Sequence, residues 1–194
     1  MWFVVFLVLL AFTFLSLGAL RMPSALSRRT LIVFSTLLVL SLLTACHSED
    51  PQREVSKVLG LNTSKGALAY VSDTHGGFHG DGTTYIELTF TDESFENALN
   101  QNSQWHPLPL SDNLTALVYG EKDEHGSIGP YLTGDDGKSL FPAIKNGYYF
   151  FEDRQSNGKD SQDDSGILKQ PSFNVTLAIY DIDTRTLHFC EFDT

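Results

Sequence analysis

Asp73, His75, His79 and Asp81 fall within nine residues of one another. Carboxylate oxygens and imidazole nitrogens are donors that zinc or a similar divalent ion accepts. An ion held there would activate a water for metal-dependent hydrolysis. Gly76, Gly77, Gly80 and Gly82 share the stretch, so its backbone has access to conformations closed to other residues. The same side chains also fit a plainer chemistry, in which Asp73 and His75 bond to nearby backbone groups and organise a glycine-rich loop. No helix or strand spacing presents the four donors together, and this favours the loop-organising role.

Val71-Ser72-Asp73-Thr74-His75-Gly76 resembles the first motif of the calcineurin-like metallophosphoesterases. In that family an Asp and a His follow a strand and bind one of two bridged ions that drive an in-line displacement at phosphorus. The resemblance implies phosphoesterase activity centred on Asp73 and His75. The chain departs from the family in its remaining segments. Gly80-Asp81 comes too soon, no Gly-Asn-His occurs, and His106, His125 and His188 stand in other contexts.

Other groups offer less. Asp160, Asp163 and Asp164, preceded by Glu152 and Asp153, supply oxygens suited to calcium but lack the alternating spacing of a calcium loop. They read as a solvated acidic loop. There is no Gly-x-Ser-x-Gly elbow, no Ser-x-x-Lys and no phosphate-cradling glycine loop, so no catalytic residue is assigned. Tyr148, Tyr149, Trp105 and Tyr131 would line a binding groove if they faced one way, although aromatics at strand spacing are more often core. Cys190 lies in a strand pattern and reads as a small buried hydrophobe.

The loop requires strands on either side. Ala67 to Val71 precedes it, and after it Ile86, Leu88 and Phe90 alternate with Tyr85, Glu87 and Thr89, which predicts an antiparallel hairpin with an enlarged turn. Thr91 or Asp92 caps a short helix bearing Phe95, Ala98 and Leu99. Ser111 caps a second carrying Leu114, Leu117 and Val118 up to Gly120, with a strand over 114–119 as the competing assignment. Residues 121–147 read as loop. Tyr148 to Phe151 reads as a central strand with two apolar faces. Phe173 to Tyr180 and Leu187 to Phe192 close the chain as a hairpin. These elements predict an α+β domain over 66–194, with an antiparallel sheet of about five strands and one or two short helices.

Ahead of that domain the chain changes character. Arg28 and Arg29 precede an apolar run from Leu31 to Leu43, which ends in Leu43-Thr44-Ala45-Cys46 and then polar His47, Ser48, Glu49 and Asp50. A basic region, a short apolar core and small residues form an export signal. With Cys46 at the break it resembles the bacterial lipoprotein signal, whose lipobox is Leu, two small residues and Cys. The resemblance implies cleavage between Ala45 and Cys46, diacylglycerol on Cys46, and a lipid anchor on the extracytoplasmic face of the cell membrane. Residues 22–45 would be the signal peptide and 46–65 a tether, with Leu59 and Leu61 placed to dock on the core. Met1 to Leu20 form a second apolar run long enough to span a bilayer. Met22 opens a self-sufficient signal, so 1–21 reads either as an upstream in-frame extension or as a membrane span.

From Cys46 onward ten basic residues face 24 acidic ones, a net charge of −14. Such a surface argues against nucleic acid and against a basic face docked on anionic lipid. With Cys46 acylated, Cys190 stands alone and no disulfide forms within the domain. As a whole the mature part is similar to small uncharacterised lipoproteins of Gram-positive-type bacteria, a likeness that carries no functional residue. The expectation is a non-enzymatic lipoprotein binding an extracytoplasmic protein or small ligand. The alternatives are a metal-dependent hydrolase at the 73–81 loop and an inhibitor or immunity-type lipoprotein whose acidic face blocks a basic partner.

Overall fold

The first helix forms where a tether is expected. Asp50 is its N-cap, accepting from the backbone N–H of Gln52 at 3.2 Å, Pro51 occupies the first turn, and Gly60 closes it at φ 61°. Helix α1 (Pro51–Leu59) buries Val55 and Leu59, one turn apart, and Leu61 packs beside them. Thr63, fully buried, locks the exit by donating to the Gln52 carbonyl at 2.6 Å and bonding to the Ser56 hydroxyl at 2.7 Å. Residues 50–65 are therefore part of the domain, which is one compact unit from Asp50 to Thr194. The computed structural model describes residues 50–76, 80–124, 126–156, 158 and 160–194. The 1–21 segment, the signal with Ala45 and Cys46, and His79 lie outside the described residues.

The remaining elements are β1 (Ala67–Asp73), β2 (Gly82–Thr89), α2 (Ser94–Leu99), β3 (His106–Pro107), α3 (Asp112–Tyr119), β4 (Glu121–Asp123), β5 (Gly126–Ile128), β6 (Gly147–Asp153), β7 (Asn174–Asp181) and β8 (Thr186–Asp193). Six strands form one antiparallel sheet in the order β1-β2-β8-β7-β6-β3, and β4 and β5 form a separate hairpin. The domain is α+β and mainly antiparallel, with β1 and β2 joined as the expected hairpin. The last strand is inserted in the middle, between β2 and β7.

Because side chains alternate across a strand, the sheet divides the core in two. Tyr85, Cys190, Leu177, Ile179 and Phe151 face one layer, which is covered by Leu114, Leu117 and Val118 of α3 and by Leu132, Phe141 and Ile167 from the loops. Ile86, Phe189, Ala178, Tyr180 and Phe150 face the other, which is covered by α1, α2 and Trp105. In that second layer the Phe90 and Phe95 rings stack at 4.3 Å and Tyr180 meets Phe95 edge-on at 5.3 Å.

One alternative falls and other expectations change: among the described residues the sheet has six strands and a separate hairpin where about five strands were expected, and there are three α-helices where one or two were expected. Residues 114–119 are helical, with the Ser111 hydroxyl accepting from Leu114 N–H at 3.1 Å, so the strand alternative falls. Residues 121–123 and 126–128 pair as two short antiparallel strands within what reads as loop. Strand β6 has two apolar faces but is not central: its outer neighbour is only the two-residue β3, and its faces are apolar because both layers extend over it.

Candidate functional site

His75, just past β1, closes against Asp193 at the end of β8. Gly82 pairs with Asp193 across β2 and β8, and Asp73 pairs with Thr84 across β1 and β2. Gly82 is required for close approach, since a Cβ there would lie 2.5 Å from both Cα and N of His75. The imidazole of His75 is thereby held between two carboxylates. Its Nδ1 lies 2.8 Å from Asp73 Oδ1 and 3.1 Å from Thr84 Oγ1, and its Nε2 lies 3.1 Å from Asp193 Oδ2. The His75 backbone N–H also donates to Asp73 Oδ1 at 2.9 Å, which is the loop-organising bond expected from the sequence.

The network continues past His75. Asp193 Oδ1 accepts from Arg154 Nη2 at 2.6 Å, and Arg154 Nη1 donates to Glu191 at 2.9 Å. One chain of charge thus joins the β1–β2 turn, the end of β8 and the start of the β6–β7 loop. Burial pulls the His75 pKa down, but the bonds and attraction from Asp73 and Asp193 outweigh it and hold His75 above its ordinary value. Asp73 is held below the usual carboxylate range, chiefly by the His75 backbone N–H.

These shifts work as a latch. A raised histidine contributes stability that is complete below its unfolded value, about 6.5, and is lost as pH rises through the folded value. The lowered Asp73 contributes stability present above its unfolded value and lost as pH falls through the folded one. The stability gap between wild type and His75→Ala is expected to be largest at pH values between the two transitions, below the ordinary histidine value, and to shrink as pH rises through the raised folded value of His75. The latch is partly solvent-exposed, so its size is about 0.5–1 kcal/mol. Urea midpoints of the two proteins across that range check this; a gap independent of pH would refute it.

As a metal ligand, a neutral imidazole needs a nitrogen lone pair aimed at the ion. Here both nitrogens of His75 face carboxylate oxygens of the protein itself. Among the described residues no group of three or more His, Cys, Asp or Glu side chains is placed to hold a metal ion. Asp81 sits at the turn, where its carbonyl accepts from Gly76 N–H at 3.4 Å. Asp73 and His75 are therefore brought together, and His79, the third of the four, lies outside the described residues.

Sequence reasoning missed a second cluster. Tyr85 Oη donates to Glu87 at 3.0 Å and lies 2.8 Å from His188 Nδ1, with Glu87 3.3 Å from the same nitrogen. Alternation places Tyr85 and Glu87 on one face of β2, opposite Cys190 and His188 of β8. Burial lowers the His188 pKa despite Glu87 and raises the Tyr85 phenol far above its usual value. Burial likewise pushes the Cys190 thiol up, as suits the buried hydrophobe expected there. The group is a satisfied polar patch in the core rather than an open site.

No family model, curated protein or solved structure matches this chain.

The acidic loop borders a cleft of about 400 Å³ lined by Asp153, Gln155, Asp160, Asp163 and Gln170. Asp160 accepts from Gln162 N–H and Asp163 from Ser165 N–H, each at 3.0 Å, which is turn-closing work. Asp164 accepts from the Ser111 hydroxyl and so ties the loop to α3. Asp153 is buried, with one oxygen on Gln155 N–H and the other on Gln170 Nε2 at 2.8 Å. The aromatic groove does not form. Tyr148 and Tyr149 point to opposite faces, and Trp105 is buried against Phe150.

Proposed function

We propose that this chain is a lipoprotein, anchored through diacylglycerol on Cys46 to the extracytoplasmic face of a membrane, and that its α+β domain binds a protein or small ligand without catalysis. The lipobox Leu43-Thr44-Ala45-Cys46 at the end of its apolar run carries the reading. The acidic surface of the mature part supports exposure to solvent above the bilayer. Both nitrogens of His75 are engaged by Asp73 and Asp193, which fits a structural latch at that loop. Among the described residues no helix is long and apolar enough to cross a membrane.

Metabolic labelling with a radioactive fatty acid in a bacterial host tests the anchor. The full chain is expected to take up label and sediment with membranes, and Cys46→Ser to take up none. Equal labelling of the two, or no labelling of either, would overturn the anchor. Hydrolysis of a phosphate ester by the purified full chain, lost in His75→Ala, would overturn the non-catalytic role.

A further inference from the structure

A second cleft opens on the face of the sheet that α3 covers. The segment 108–110, helix α3 and residues 144–145 enclose about 260 Å³, lined on its apolar side by Leu108, Pro109, Leu110 and Ile144. Leu108, Leu110 and Ile144 also pack on the first core layer, so this floor is continuous with the core. The walls are fixed from within: Leu108 N–H donates to the Gly147 carbonyl at 2.9 Å, and Tyr119, also in the lining, donates from Oη to the Pro142 carbonyl at 2.8 Å. Thr115 and Lys145 complete the lining and are exposed. Among the described residues neither of these two side chains has a hydrogen-bond or ion-pair partner. No carboxylate lines the cleft, in a chain that carries 24 acidic residues after Cys46.

We infer that this cleft binds a small monocarboxylate with a short apolar tail, the tail on Leu108, Leu110 and Ile144 and the carboxylate on the Lys145 ammonium. The inference rests on the binding role proposed above, to which it gives one site and one ligand class, and does not depend on the lipid anchor. The volume falls below the roughly 300–1,000 Å³ of sites for drug-sized ligands, so the occupant is compact. An amine of the same shape would set its own cation against Lys145. An alcohol would fill the apolar side and leave the cation unused. Lysine is a point charge on a flexible stem and needs no fixed fork geometry to settle on one carboxylate. The acidic surface elsewhere opposes an anion at a distance, but salt screens such repulsion beyond about 8 Å. The contact with Lys145 then decides which charge is accepted.

Saturation-transfer NMR on the full chain in detergent, with hexanoate, hexanol and hexylamine as probes and the micelle signal subtracted, tests the inference. Hexanoate is expected to bind most tightly and hexylamine least. Lys145→Gln is expected to weaken hexanoate about two- to fivefold, the range of an exposed charge pair, and to leave hexanol unchanged. Lys57→Gln, exposed on α1 across the sheet, is expected to change neither. Thr115→Trp places an indole in the cleft from an exposed position of α3 and is expected to remove binding of both. Lys145→Gln carries the test if Thr115→Trp does not fold. Equal affinity for hexanoate and hexylamine, hexanoate binding unchanged in Lys145→Gln, unaltered binding in a folded Thr115→Trp, or no transfer to hexanoate above the micelle signal would overturn the proposal. None of these results bears on the anchor or on hydrolysis, which fatty-acid labelling and the phosphate-ester assay read separately.

Discussion

Ending the chain at Arg185 is expected to abolish the fold, not trim it. The nine residues removed contain β8, which pairs with β2 along one side and β7 along the other. Without it, the β1–β2 hairpin and the β6–β7 pair have no common strand. Thr186 to Cys190 are all buried, with Leu187 and Phe189 in one core layer and Cys190 in the other. Burial of Leu187 and Phe189 alone is worth roughly 3–6 kcal/mol, against a total stability of about 5–15 kcal/mol for a domain. The buried backbone groups of β2 and β7 would also lose their partners. The truncated chain should show no cooperative urea transition and rapid proteolysis. A cooperative transition near the wild-type midpoint would contradict this account of the sheet.

Much of this architecture was legible in the sequence because its strands alternate cleanly and its helices begin at recognisable caps. Ser111 before Leu114, Leu117 and Val118 is one such signal, and the alternation of Val175, Leu177 and Ile179 is another. Helix α1 was not legible. It buries only Val55 and Leu59 among Glu54, Ser56 and Lys57, so its apolar stripe is too thin to stand out from a polar tether. The position of β6 also escaped prediction. Tyr148 to Phe151 shows that both faces are covered, but not which neighbours the strand has.

The candidate site was half legible. The bond between Asp73 and His75 is local and follows from side chains two residues apart beside glycines. The second carboxylate, Asp193, is 118 residues away and reaches His75 only because β8 pairs with β2. Arg154 and Glu191 enter the network by the same register. A donor set read from sequence proximity therefore included Asp81 and omitted Asp193. The donors that converge on a turn are chosen by strand pairing, and proximity in sequence captures only the part that lies on one hairpin.

Placing a carboxylate at position 55 is expected to separate a tether from a structural helix decisively. In a tether, Val55→Asp would be as neutral as any exposed change, within about 0.5 kcal/mol. In this fold Val55 is completely buried, in the layer formed by Ile86, Leu88 and Phe189. A carboxylate there loses its water and gains no partner, and an uncompensated buried charge costs about 3–5 kcal/mol. The chain can avoid that cost only by lifting α1 from the sheet, which exposes Leu59 and the apolar face beneath it and breaks the bonds of Thr63 to Gln52 and Ser56. Either route removes several kcal/mol, so the urea midpoint of Val55→Asp should fall steeply. Arg53→Gln, on the exposed face of the same helix, should leave it nearly unchanged. Matching midpoints for the two variants would return residues 50–65 to the role of linker. A large difference would mean that the domain begins at Asp50, with only His47, Ser48 and Glu49 between it and Cys46.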